Sequence, residues 1–413
     1  MSKSGHQNIT FIRWLTFLMF MMFAMTTDSV GVIIPQIVKE FRLSLTAAGA
    51  FHYATMAAIA VAAVLLGFLA DRFGRKQTIV LGLTIFAINS YLFVIGDSFA
   101  YFLCLLTISG ASIGIFKTGA LALIGDISAS TAEHTSTMNL VEGFFGVGAI
   151  IGPAIVTSLI NNHVSWKWLY CIAGSLCVLL ILIAVSVRYP RTMRASDEAV
   201  DLRRTLRMTG NPYALAFGFG VLLYVAIEAS VYVWGPLYLA DYRGPWTLLA
   251  TYGISVFFGL RAAGRFLGGW MLAKFDWSWV LAIMSFAILV CLAGSVFGGV
   301  RIAVVLLPLS GLFMSIIYPT LNSKGISCFQ KSEHGAVAGV ILFFTCGGAV
   351  LGPLAMAAVI DALGAPKYAF LMATVFAAFL LIGLVYNCLR QPTRGVLLQQ
   401  DAREYGVTAS PGI

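Results

Sequence analysis

The sequence predicts an all-α membrane protein, with twelve transmembrane helices arranged as two six-helix, pseudo-symmetric bundles. Three observations lead there. The first is composition: of 413 residues, 60% are apolar and 10% charged, against about 45–50% and about 25% in a soluble domain. So few charges cannot cover a water-facing surface of this size, which excludes a soluble enzyme, a nucleic-acid binder or a disordered chain. The second is that one strongly charged stretch, 188–211, divides the apolar segments six and six. The third is a repeat of the first half in the second.

The apolar segments are long enough to cross a bilayer, which takes about 20 residues each. Span 1 (12–36) closes on Pro35-Gln36, and span 2 (45–70) runs into the charged loop that begins at Asp71. Span 3 (78–96) starts after Arg75-Lys76 and stops at Gly96-Asp97; span 4 (99–124) ends before Asp126. Span 5 (137–160) and span 6 (166–187) complete the first half (1–187). After the linker, span 7 (212–239) opens on Pro212, span 8 (246–272) stops at Lys274, and span 9 (277–297) lies between Asp276 and Gly298. Spans 10 (302–327), 11 (335–359) and 12 (368–388) complete the second half (212–390), followed by a polar tail, 391–413.

Basic residues set the orientation. With the N-terminus inside, sixteen of them (among them Arg13, Arg72, Arg75, Lys76, the linker arginines and Arg394) fall on cytoplasmic segments and six (Lys39, Arg42, Lys167, Arg243, Arg301 and Lys367) outside. Both termini are therefore expected in the cytoplasm, with the chain in the inner membrane. The same placement accounts for the net charge of +9 without nucleic acid.

The repeat has an offset of 200. Gly148-Ala149-Ile150-Ile151-Gly152-Pro153 returns as Gly348-Ala349-Val350-Leu351-Gly352-Pro353, and Glu133-His134 as Glu333-His334. Gly67, Arg72 and Phe73 are matched by Gly269, Lys274 and Phe275. Parallel repeats of this kind place a binding site at midplane. The glycines permit close helix packing and the prolines bends, which suits rocking or static packing equally.

Several residue types point away from catalysis. The seven cysteines contain no C-x-x-C pair, and the five histidines lack metal spacing, so no metal and no cofactor are expected. No G-x-x-x-x-G-K-[ST] loop is present, so the chain is not read as an ATP-driven pump, and the loops are too short to host an enzyme site.

Charges inside spans are costly and mark function. Asp28, Lys117, Glu142, Glu228 and Arg261 stand well inside; Arg265 and Lys324 lie near span ends and are expected to snorkel. Lys117 and Glu142 are at similar depth on neighbouring spans and are expected to pair, with Lys117 lining a cavity and meeting an anionic or hydroxyl-rich substrate. Tyr224, Glu228 and Tyr232 share one helix face, with Trp234 beyond, a set suited to a polyol. Asp28, Glu142 and Glu228 are the carboxyls available for exchanging a proton. Arg261 is expected to pair with an acid at the inner gate.

The stretch Gly67-Phe68-Leu69-Ala70-Asp71-Arg72-Phe73-Gly74-Arg75-Lys76 resembles the G-x-L-x-D-R-x-G-R-K loop of the major facilitator superfamily. Asp71 is suited to capping a helix end or pairing with an arginine across the gate, and Arg72, Arg75 and Lys76 to the inner membrane face. Asn139-Leu140-Val141-Glu142, Gly264–Trp270 and Phe313–Thr320, which includes Tyr318, are similar to the fucose:proton symporter branch of that superfamily. At the two positions where that branch carries acids, this chain has Lys117 and Gly31; Asp28 lies three residues earlier. The resemblance implies the major facilitator fold and alternating access. The expected function is a secondary active transporter, a monomer, for a small polar solute such as a sugar or sugar acid, coupled to protons. An efflux permease for drugs or metabolites is the alternative transporter reading, and a non-transporting membrane sensor the alternative of another class.

Overall fold

A computed structural model describes residues 3–43, 45–190 and 207–406, with side chains except at 3–7, 34–35 and 45–49. Most of the charged linker and the last residues of the tail lie outside this set. The described elements are helices. In the first half of the chain these are α1 (Lys3–Thr27), α2 (Val30–Phe41), α3 (Leu45–Leu66), the single turn α4 (Leu69–Arg72), α5 (Arg75–Leu92), α6 (Phe99–Ile127), α7 (Thr131–Asn161) and α8 (Trp168–Ser186). In the second half they are α9 (Pro212–Leu239), α10 (Thr247–Lys274), α11 (Trp277–Phe297), α12 (Val300–Met314), α13 (Ile317–Ser327), α14 (His334–Leu363), α15 (Lys367–Arg390) and α16 (Arg394–Tyr405). Among the described residues, ten helical stretches are long and apolar enough to cross a membrane. The helix α3 holds a shorter apolar run, Ala50–Leu66.

By contact the chain forms two compact units, each stitched from separate segments. The first contains Met1–Ser128, Val141–Asn211 and Phe329–Phe343; the second contains Ala129–Leu140, Pro212–Cys328 and Phe344–Ile413. The start of α7 thus belongs to the second unit, and the start of α14 to the first.

Helix partners repeat between the halves. Within the first unit α6 packs on α3 and α5, and α8 on α5 and α1; within the second, α12 packs on α10 and α11, and α15 on α11 and α9. The repeated glycines make corresponding crossings. A Cβ at Gly148 or Gly152 would overlap the backbone of Met21 or Met25 on α1, and one at Gly348 or Gly352 would press on Leu222 or Ala226 on α9. Small residues here let backbones touch, which is how helices associate without a hydrophobic driving force in lipid. Away from the basic loops, the first unit is closed by an aromatic cluster in which Phe93 stacks on Tyr170 at 3.7 Å between centroids and Phe102 meets Trp166 edge-on.

Two predicted spans are broken. Span 1 divides at Asp28–Ser29, between α1 and α2, where the Ser29 hydroxyl bonds back to Met25 O at 2.6 Å and competes with the helical ladder. Span 10 divides at Ser315–Ile316, between α12 and α13. Pro319 explains that break: it has no N–H for the Ser315 carbonyl four residues earlier.

Candidate functional site

In the first unit the polar mid-span residue is Lys117. From Ser112 to Gly125 every other residue is buried, and Lys117 alone is half-buried. Its ammonium lies 4.7 Å from the Phe145 ring centroid and 5.7 Å from that of Phe20, within cation–π range. The expected ion pair with Glu142 does not form: among the described residues no carboxylate lies within 4 Å of the Lys117 ammonium. Glu142 is buried on α7 one turn before Phe145, and the aromatic rings of α1 and α7 occupy the ammonium instead. Asp28 is exposed at the break in span 1 and accepts a 2.8 Å bond from the Thr27 hydroxyl. Gly31, one turn on, faces open space.

In the second unit the centre is Glu228. It is 6% exposed, forms an ion pair with Arg261 of α10, and accepts a 2.7 Å hydrogen bond from the Tyr224 hydroxyl. The acid that Arg261 meets, half-way along α10, is thus Glu228. Tyr224 also lies 2.8 Å from the Met314 carbonyl, one of those freed by the break in span 10. Arg265, one turn beyond Arg261, donates its Nε to the Ser315 carbonyl that Pro319 leaves open. The expectation that Arg265 and Lys324 snorkel is therefore corrected. They are 1% and 4% exposed, and Lys324 donates to the Thr131 carbonyl at 3.3 Å. Arg265 is held inside by a carbonyl at the break in span 10, and Lys324 by one at the start of α7. Tyr318 stacks on Tyr224 at 6.4 Å and accepts from Asn322. Tyr232 packs its ring on Phe258 at 5.8 Å, and Trp234 lies half-buried nearby.

The loop residues around Asp71 form a compact charged cluster in the first unit. Asp71 and Arg75 are ion-paired, each side chain 1% exposed, and Arg75 also pairs with Asp126 at 2.9 Å. Asp71 accepts from the backbone N–H groups of Gly335 (3.0 Å) and Ala336 (2.9 Å), at the start of α14. One carboxylate thus neutralises a buried guanidinium and caps a helix N-terminus. Burial pushes the Asp71 carboxyl up from the usual range, and Arg75 with the two amides pulls against it. Arg72 is exposed, its guanidinium resting on Phe73. Gly67 allows the close approach: a Cβ there would lie 3.1 Å from Gly335 O and 3.5 Å from Gly339 Cα. Other basic residues of this end cap helix C-termini, Arg13 at Ile127 O (3.1 Å) and Lys76 at Val187 O (2.8 Å).

The second unit has a related contact. A Cβ at Gly269, the repeat mate of Gly67, would sit 3.4 Å from Ser136 Oγ on α7. His134 meets Ser327 at 2.8 Å, and Thr135 meets Ser323 at 3.0 Å. Beside them lies a cavity of about 190 Å³ lined by Thr135, Asp276, Trp277 and Lys324 among others.

These features, a charged loop locked onto the start of a later helix and ionisable groups buried in mid-span, fit the profile that matches residues 16–353, that of the Major Facilitator Superfamily. The chain belongs to the Major Facilitator Superfamily. It is a multi-pass membrane carrier, not an enzyme. A glucose/galactose transporter of Brucella abortus biovar 1 (strain 9-941) is 24% identical over 391 residues, covering 91% of this chain and 94% of the relative. The L-fucose-proton symporter of Escherichia coli (strain K12) is 24% identical over 417 residues, covering 87% and 91%. A quinolone resistance protein of Staphylococcus aureus, NorA, is 27% identical over only 160 residues, 38% of this chain. Among solved structures, the transporter FucP in its outward conformation superposes with a TM-score of 0.79 at 21% identity, covering 92% of this chain and 99% of that one. The proton:xylose symporter XylE superposes with a TM-score of 0.73 at 11% identity, covering 92% and 95%. Structural likeness at these identities establishes the fold.

Sequence reasoning missed Asp126, Asp401, Asn322 and the two repeat-related histidines. Asp126 had a signal, an acid directly after the apolar run of span 4 with a basic loop to meet. Asp401 and His134 have partners far away in sequence, Thr131 and Ser327, while Asn322 bonds to Tyr318 within its own helix.

Proposed function

We propose that this carrier moves a sugar-type solute across the inner membrane by alternating access, in symport with protons, using twelve spans in two six-helix halves. The halves are 1–187 and 212–390; the linker 188–211, the tail 391–413 and both termini lie in the cytoplasm, as the sixteen-to-six distribution of basic residues supports. The observation that carries the reading is the Tyr224–Glu228–Arg261 cluster. A carboxylate, a guanidinium and a phenol sit together in mid-span, where ionisable groups mark substrate and ion pathways. Hydroxyls of a sugar compete for Arg261 and Tyr224, and Glu228 exchanges its cationic partner for a proton. Asp28, exposed at the break in span 1, and Glu142 are the other carboxyls available for proton exchange, with Tyr232, Trp234 and Tyr318 forming the aromatic surround. Asp71, Arg72, Arg75, Arg261 and Arg265 serve the gating movements. The relatives named for glucose, galactose and fucose, alike over nearly the whole chain, support the substrate class.

The test is uptake of labelled glucose, galactose and L-fucose into proteoliposomes under an imposed gradient, acid on the entry side. Accumulation that collapses with an uncoupler is expected. Glu228→Gln should keep exchange of solute across the membrane and lose gradient-driven accumulation. Uptake indifferent to the gradient would refute coupling.

A further inference from the structure

We propose that the solute is a carboxylic acid of the sugar type, and that Lys117 binds its carboxylate; this rests on the transport reading above. An ammonium in mid-span needs compensation. Lys117 has only two ring faces, Phe145 and Phe20, as described partners, and both leave the nitrogen's net charge in place. None of the acids described in the first unit lies within 4 Å of the ammonium: Asp71 and Asp126 are engaged by Arg75, Glu40 and Asp97 by Lys167, Asp28 accepts from Thr27, and neither Glu142 nor Glu333 pairs with Lys117. Lys117 is also the one residue from Ser112 to Gly125 that is not buried. On this proposal its ammonium lies on the solute path, because facing lipid would leave the charge with neither solvent nor partner. A neutral sugar entering there would leave the charge unbalanced. A single carboxylate balances it, whereas a phosphate ester would bring a second negative charge that Lys117 does not match.

The experiment is calorimetric titration of the purified full chain with matched ligands: galactose against galacturonate, glucose against gluconate, and glucose 6-phosphate. Wild type is expected to bind the acids at least tenfold more tightly than the neutral sugars, and the phosphate ester more weakly than the acids. Lys117→Gln should lose at least tenfold for the acids and change the neutral sugars less than twofold, with Lys117→Arg intermediate. Neutral sugars bound as tightly as acids, or a phosphate ester bound best, would overturn the carboxylate assignment and leave the transport reading standing. Failure of every sugar, neutral or acidic, to bind folded wild type would overturn both.

A separate observation carries a second inference. We infer that the C-terminal helix α16 is a latch on the start of α7, within the second unit. Asp401 accepts the Thr131 backbone N–H at 2.9 Å and the Thr131 hydroxyl at 3.0 Å. Thr131 is the first residue of α7, so Asp401 caps that helix much as Asp71 caps α14. The repeat should place an acid in the loop after α10, but the counterpart of Asp71 there is Ala273. The nearby Asp276 is occupied in capping α11, accepting from Ser278 and Trp279. The tail helix therefore supplies the missing carboxylate, anchored by buried Leu397 and by a Thr393–Asn387 bond of 3.0 Å at its turn.

Hydrogen–deuterium exchange of the full chain tests this. Asp401→Ala and Thr131→Val should each raise exchange over residues 131–136 at least fivefold, the double variant no further, with α11 and α12 unchanged. Exchange at 131–136 that stays at the wild-type rate in Asp401→Ala, or two effects that multiply in the double variant, would overturn the latch. General misfolding is separated from latch release by the α11 and α12 control.

Discussion

The Glu228–Arg261 pair makes the most demanding prediction. The side chains are 9% and 15% exposed, and Tyr224 donates to the carboxylate. Removing one member of a buried pair costs about 3–5 kcal/mol, because the other charge is left without compensation. Arg261→Gln leaves Glu228 with its Tyr224 bond, so the cost should fall near the lower end, about 3 kcal/mol. Glu228→Gln removes the carboxylate from a largely buried guanidinium and should cost at least as much. The double variant holds two neutral amides that can bond to each other, and replacing both charges is close to neutral, within about 1 kcal/mol of wild type. The double variant is therefore expected to be at least about 2 kcal/mol more stable than either single one. Denaturant titration of purified protein in mild detergent, followed by tryptophan fluorescence, measures this. Losses from the two single substitutions that simply add in the double variant would refute the pairing, and with it the placement of Arg261 in mid-span.

Three further outcomes are expected in the same titration. Gly339→Ala places a Cβ into the Ala63 carbonyl and should cost about 1–3 kcal/mol, while Gly383→Ala, which meets nothing within 4 Å, should stay within about 0.5 kcal/mol. Arg75→Ala leaves Asp71 and Asp126 buried without their cation and should cost about 3 kcal/mol or more; exposed Arg72→Ala should cost under about 0.5 kcal/mol. Asn89 donates to Leu105 O at 2.8 Å and Ser109 Oγ at 2.7 Å, and Asn89→Ala should cost about 1 kcal/mol, the scale of hydrogen bonds between membrane helices.

The apolar helical stretches, the repeat and the charged loop were readable from residue order, while the breaks at Asp28–Ser29 and Ser315–Ile316 were not. Burial in lipid is an average property of a stretch about 20 residues long, so composition reports it without knowledge of neighbours. The glycines at 148, 152, 348 and 352 were readable as close-packing sites for the same reason: a missing side chain is a local fact. Side-chain partners were not readable. Lys117 and Glu142 are placed at similar depth by their positions in the sequence, yet the ammonium lies on Phe20 and Phe145. Arg261 meets Glu228, and Asp401 reaches back to Thr131 across 270 positions of chain. An ion pair forms or fails over a few ångströms, a distance set by helix rotation and by which backbones touch. Those come from packing, and only the tertiary structure decides them.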